Sequence, residues 1–211
     1  MGKKANVVMF MLSLFLLSGC ITVVKEGEEG KLTGESAFNA GDNVAEIWED
    51  EALPNLKEKA IDLKTFLAEA NNDLHSLAEK YGSYSMGSSG ELSYTVKGVF
   101  KVIEVVTDKK AGYMLCEIAG YAGPIVIKIQ IGSVFKGSSV RDSLDFIKFE
   151  DYKNQVDYAA VSQSINDLIQ KELLDNFDLT SLQGKEIKVV GCFTVSDPNE
   201  ILIMPVTMEE K

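Results

Sequence analysis

From Leu92 onward the chain changes character, and that change constrains its fold more than any other feature. Residues 96–106 (Val-Lys-Gly-Val-Phe-Lys-Val-Ile-Glu-Val-Val) are β-branched and extended. Asp108-Lys109-Lys110-Ala111-Gly112 then turns the chain into a second run, 113–118, and a Gly-rich turn at 120–123 leads to a third, 125–131. Short apolar runs bounded by turn residues read as consecutive strands, a meander. Gly98 and Gly132 stand where a strand could bend or bulge.

A long connection, 133–155, separates this meander from a helical pattern at 159–176. That pattern carries Val161, Ile165, Leu168, Ile169, Leu173 and Leu174 on one side. Two strands close the chain. Ile187, Val189, Gly191, Phe193 and Val195 share one face of the first, and Asp197-Pro198-Asn199-Glu200 returns it into 201–208. Three strands, a helix and two strands is the order of a five-stranded OB-like barrel within an α+β chain, the helix plugging one end. An open five-stranded α+β sheet is the alternative.

Ahead of the strands lie two helical patterns, 41–82. Asp42 or Asn43 is positioned to cap the first, which runs through Ile47, Trp48, Leu53 and Leu56, with Pro54 breaking or kinking it. Asp62 is positioned to cap the second, in which Leu63, Phe66, Leu67, Ala70, Leu74, Leu77 and Ala78 recur at three- and four-residue spacing before Tyr81-Gly82. Residues 83–90 are small and polar and read as a linker into a 92–209 barrel domain.

The amino terminus has three parts. Lys3 and Lys4 precede an uncharged apolar run, 7–18, and Leu17-Ser18-Gly19-Cys20 follows. Twelve apolar residues are short for a membrane span and fit a secretory h-region. Small Ser18 and Gly19 before a thiol make 1–19 a lipoprotein signal peptide and Cys20 the lipid-attachment residue. Two or three acyl chains there, palmitate among them, anchor a protein stably. Residues 20–40, with Glu-Gly-Glu-Glu-Gly, form a lipidated tether. The expected location is outside the cytoplasm, on the cell membrane or the outer membrane, facing the periplasm or cell exterior. Ile21 lacks the aspartate that retains some lipoproteins at the inner membrane.

Removing residues 1–19 leaves 192 of 211 residues, and losing Lys3 and Lys4 takes the net charge from −11 to −13. Such a surface repels phosphate backbones, so nucleic acid is not an expected partner. It also adheres poorly to anionic lipid, which leaves anchoring to the acyl chains. Cys116 and Cys192 lie in apolar runs and read as buried free thiols or as one disulfide.

The connection after the third strand is rich in polar side chains. Lys136, Ser138, Arg141, Asp142, Asp151, Asn154 and Gln155 are candidate binding residues. Arg141 is the only arginine against twenty lysines, so a planar five-donor fork is required at this one place. Its partner is either a buried carboxylate, Asp142 or Asp151, or an external ligand. Trp48, the only tryptophan, is a stacking candidate or a core residue in phase with Val44, Leu53 and Leu56. His75, the only histidine, has no His or Cys at ligand spacing. With no G-x-S-x-G, P-loop or EF-hand loop, neither an enzyme nor a metal or other cofactor is expected.

In wording the chain resembles the predicted periplasmic lipoproteins of the domain-of-unknown-function family 2291, from about Trp48 to Met208. The resemblance rests on Ile47-Trp48-Glu49 with Leu53-Pro54, Glu79-Lys80-Tyr81-Gly82, Val96-Lys97-Gly98, and Gln130-Ile131-Gly132-Ser133-Val134 through Lys136-Gly137 and Arg141-Asp142 to Phe149, Asp151 and Asn154-Gln155. Gly191-Cys192-Phe193-Thr194 and Asp197-Pro198 complete it. Ser133 and Lys136 depart from that pattern, which often has Pro and Arg there. The resemblance implies an exported lipoprotein placed near sugar ABC uptake. The expected function is therefore a lipid-anchored binding or accessory module for a sugar or small solute, with transporter components as partners. An envelope assembly factor docking another protein through 42–81 is the alternative, and a carboxylate-based glycoside hydrolase the remote one.

Overall fold

Asn39 opens the described part of the chain, its side chain accepting the Gly41 amide at 3.1 Å and so capping the helix that follows. The computed structural model describes residues 39–211. The expected signal peptide 1–19, the expected lipid-attachment residue Cys20 and the expected tether up to Phe38 lie outside them, as do the side chains of Asp42 and Asn43. Helix α1 (Ala40–Ile47) runs into a π-helical stretch, Trp48–Ala52, and then into α2 (Leu53–Lys59). Pro54 does not break the helix. Leu53 N–H donates to Trp48 O, five residues back, and this widened turn absorbs the ring and the missing donor.

After strand β1 (Ile61–Asp62), Asp62 accepts the Thr65 amide at 2.9 Å and caps α3 (Leu63–Ala70). The single helix expected to reach Tyr81 instead stops at Asn71 and Asn72, whose φ values of 47° and 68° are left-handed. The chain resumes as a short α4 (Ala78–Tyr81). The expected linker is ordered. Strand β2 (Ser83–Tyr84) pairs with β3 (Leu92–Val106), and the Ser85 amide donates to Glu91 O at 3.0 Å.

The remaining strands are β4 (Tyr113–Glu117), β5 (Val126–Gln130), β6 (Glu186–Thr194) and β7 (Glu200–Glu210). Pairings β3–β4, β4–β5, β5–β7, β7–β6 and β6–β3 close a ring, parallel only at β5–β7. This is the OB strand order, although not a clean barrel, because β1 and β2 add two short strands to β3. The fifteen-residue β3 serves both neighbours by bending at a register shift between Val102 and Glu104. Gly98 lies within the regular β6 pairing, opposite Val189. Gly132 is needed for close approach, since a Cβ there would lie 2.1 Å from Gly112 N.

Alternation along the strands divides the apolar residues between two cores. Phe100, Met114, Ile129, Phe193 and Ile203 join Leu63, Phe66 and Leu67 of α3 in the first. There the Phe66 and Tyr94 rings meet edge-on, centroids 4.8 Å apart, and Tyr94 donates its hydroxyl to Leu74 O at 2.7 Å. The long helix α6 (Gln155–Glu172), which follows the short α5 (Ser139–Asp142), does not plug the ring. Its Tyr158, Val161, Ile165 and Ile169 pack in the second core with Val44, Trp48, Leu56, Cys192 and Met204. Residues 39–211 are one unit, and the 41–82 helices share their cores with the strands.

Candidate functional site

Buried Gln130 starts the connection by gripping the Lys136 backbone at both ends. Its Oε1 accepts the Lys136 amide at 2.7 Å, and its Nε2 donates to Lys136 O at 3.2 Å. Ser139 then donates its Oγ to Cys192 O at 3.2 Å, seating α5 on β6. That placement buries Arg141 and Asp142 together.

Arg141 donates from Nε and Nη2 to Oδ1 of Asp142, at 2.9 and 2.6 Å, and from Nη1 to Tyr158 O at 3.1 Å. Its guanidinium carbon stands 3.7 Å from the Tyr158 ring centroid. The side chain of Asp142 has 0% exposure, and its Oδ2 has no hydrogen-bond partner. Burial raises the Asp142 carboxyl above the ordinary aspartate range, against the pull of Arg141.

Asp142 forms part of the wall of a cavity of about 460 Å³. The facing wall is the ordered segment 82–87, and Leu144, Asp145, Ile147, Phe149 and Tyr158 supply most of the rest. Tyr158 ties the two sides together, its hydroxyl donating to Ser85 O at 3.1 Å while standing 3.5 Å from Asp142 Oδ1. Phe149 packs edge-on against the Tyr158 ring at 5.4 Å. Lys59 of α2 donates to Ser143 O at 2.6 Å and pairs with Asp145 at 3.2 Å.

Of the candidates from sequence, Asp142 lines this cavity and Arg141 stands behind it. The others are elsewhere. Asp151 is exposed in a 3-10 turn, Phe149–Asp151. Asn154 caps α6, accepting the Val156 and Asp157 amides at 2.8 and 2.9 Å, and Gln155 is its exposed first residue. The half-buried Ser138 offers its carbonyl to the Asp142 amide at 2.9 Å. Lys136 borders a separate concavity of about 240 Å³, beside Lys109, Lys128 and Tyr113. Trp48 is 5% exposed and belongs to the second core.

Four contributors were not singled out from sequence: Tyr158, Ser85, Lys59 and Gln130. Tyr158 is one residue before the expected helix start, in phase with Val161 and Ile165. Ser85 acts by its backbone and Lys59 across the fold, which leaves no pattern in the sequence, and Gln130 braces a backbone six residues on. Cys116 and Cys192 are buried free thiols, and burial pushes them up to about 12 and about 11. Among the described residues no group of three His, Cys, Asp or Glu could hold a metal ion, and no helix is long and apolar enough to cross a membrane. His75 is exposed.

Among solved structures, the chain is similar to the crystal structure of an OB-fold protein (tm0957) from Thermotoga maritima. The match has a TM-score of 0.66 and 17% identity, and it covers 83% of this chain and all of that one. At that identity the likeness establishes the fold alone. No curated protein matches. A family model, described as predicted periplasmic lipoprotein (DUF2291), matches residues 10–209. The chain therefore belongs to the DUF2291 family of predicted periplasmic lipoproteins.

Proposed function

We propose that this protein is a lipid-anchored, extracytoplasmic binding module that holds a small solute in the cavity between 82–87 and Asp142, as an accessory to sugar ABC uptake. It works by binding and not by bond chemistry. One observation carries this reading: Asp142, one of the residues that line the cavity, has a carboxylate oxygen, Oδ2, that is buried without a hydrogen-bond partner. Leaving such an acceptor unpaired is unfavourable by roughly 1–3 kcal/mol or more, and structural burial gives no return for it. A donor from a bound molecule does. Other features agree. The cavity volume suits a small molecule, and Phe149 and Tyr158 give it an aromatic side. Lipidation at Cys20 would keep it beside a membrane transporter.

Thermal-shift screening of the full-length protein against sugars, with pull-down of sugar ABC transporter components, tests the proposal. Stabilisation by at least one sugar and capture of a transporter component are expected. Silence in both experiments would contradict it.

A further inference from the structure

The charges in the cavity wall are already answered within the protein. Arg141 holds Asp142 through two hydrogen bonds, and Lys59 holds Asp145 at 3.2 Å. Exposed Lys148 and Glu150 place one charge of each sign at the rim. A charged ligand entering here gives up its hydration and meets no net counter-charge, which is unfavourable. A neutral ligand avoids that loss.

What the wall leaves open is an acceptor. Asp142 Oδ1 receives both bonds from Arg141, whereas Oδ2 receives none. An ionised carboxylate can only accept, so its complement is a ligand O–H or N–H. Because the Asp142 side chain has no exposed surface, a ligand reaches Oδ2 only after something moves. The segment across the cavity is suited to that. Its base is paired to β3 through Ser83 and Tyr84, but it is held to Tyr158 by a single hydrogen bond at Ser85 O, and its tip carries Met86, 55% exposed, followed by Gly87 and Gly90 with φ of 73° and 94°.

We infer that the cavity takes an electrically neutral ligand bearing hydroxyl donors, one of which bonds Asp142 Oδ2 once the Ser85–Tyr158 hydrogen bond is released. The inference rests on the reading of this cavity as the solute site. Asp142 selects for donors, Arg141 positions its carboxylate, and Tyr158 with Phe149 offers an apolar flank to the carbon skeleton.

Calorimetric titration of the full-length protein in a detergent without sugar headgroups decides the matter. The probes are D-glucose, D-xylose and myo-inositol as neutral ligands, D-glucosamine as the cation and D-gluconate as the anion. At least one neutral probe is expected to bind, with both charged probes at least about tenfold weaker, because a buried charge lacks compensation. Asp142→Asn is expected to weaken the neutral probe about tenfold to a hundredfold, as loss of a hydrogen bond to a charged group does.

Preference for a charged probe, indifference to Asp142→Asn, or no binding of any neutral probe overturns the inference. Amide exchange on the bound complex separates this from failure of the broader reading. Protection at 82–87 and 142–150 by a charged probe leaves the cavity as the solute site while removing the ligand class. Protection confined to other segments overturns both. If Asp142→Asn does not fold, the wild type still decides. A bound neutral probe must change exchange of the Ser85 and Met86 amides, which donate to Glu91 O and Ser89 O, and unchanged exchange there overturns the inference.

Discussion

Arg141 meets Tyr158 twice, stacking its guanidinium 3.7 Å from the ring centroid and donating Nη1 to the carbonyl of the same residue at 3.1 Å. One arginine thus joins α5 to the first turn of α6 while holding Asp142 beside the cavity. A lysine has neither the planar fork nor the stacking face. Arg141→Met, which strands a buried carboxylate, is expected to destabilise the fold by about 3–5 kcal/mol. Arg141→Lys, which keeps the charge but loses the fork, is expected to lose about 1–3 kcal/mol. Urea denaturation measures both; losses under about 0.5 kcal/mol, typical of surface sites, would contradict this placement.

Asp142 gives stability a pH dependence of definite sign. Burial raises its carboxyl in the folded chain above the ordinary range of the unfolded one, despite Arg141. Between those two values the folded state carries a proton that the unfolded state lacks. Stability from this group therefore rises as pH falls through that window and is lost as pH rises past the folded value. Melting curves from pH 7 to pH 4 should show the gap between wild type and Asp142→Asn widening on acidification. A gap that narrows would mean that Arg141 outweighs burial and holds the carboxylate ionised.

Gly132 and Gly98 should respond very differently to alanine. At Gly132 a Cβ would lie 2.1 Å from Gly112 N and 2.2 Å from Lys110 O, both backbone atoms that cannot turn aside. At Gly98 the nearest atom is the Phe100 ring, at 3.3 Å. Overpacking of the first kind costs about 1–3 kcal/mol or more, and the second is expected to stay under about 1 kcal/mol. Equal effects in urea denaturation would show that the turn at 110–112 yields.

Cys20→Ser should release the protein from membranes into the soluble fraction and abolish acyl labelling, since the acidic chain has little attraction of its own for anionic lipid. Fractionation with labelled fatty acid measures this, and continued retention without label would assign the anchor elsewhere.

The strand order was legible because β-branched alternation and turn residues are local signals, and the ring of pairings follows them from Val96 to Met208. Asp62 was legible as a cap for the same reason. What escaped was decided by tertiary context. Helix α3 ends at Asn71 because two left-handed asparagines outweigh a continuing apolar period. The segment 83–90, small and polar enough to read as a linker, is held by pairing to β3 and by a tyrosine more than seventy residues away. Arg141 was singled out by its rarity, and the structure assigns it the carboxylate of Asp142. The side chain that completes the pair's setting, Tyr158, carries no sequence mark beyond its helical phase. Lys136 and Asn154 share polar character with Asp142, but distance along a folded loop cannot be read from composition. Gln130 and Asn154 turn out to brace backbone.

Amide hydrogen exchange on the full-length protein reads whether the solute is held between 82–87 and Asp142. The sample should be measured with and without a sugar that shifts its melting temperature. Slowed exchange at 142–150 and altered exchange at 82–87 are expected, with no change around Lys109, Tyr113 and Lys136. Protection at that second concavity, with 82–87 and 142–150 unaffected, would contradict it.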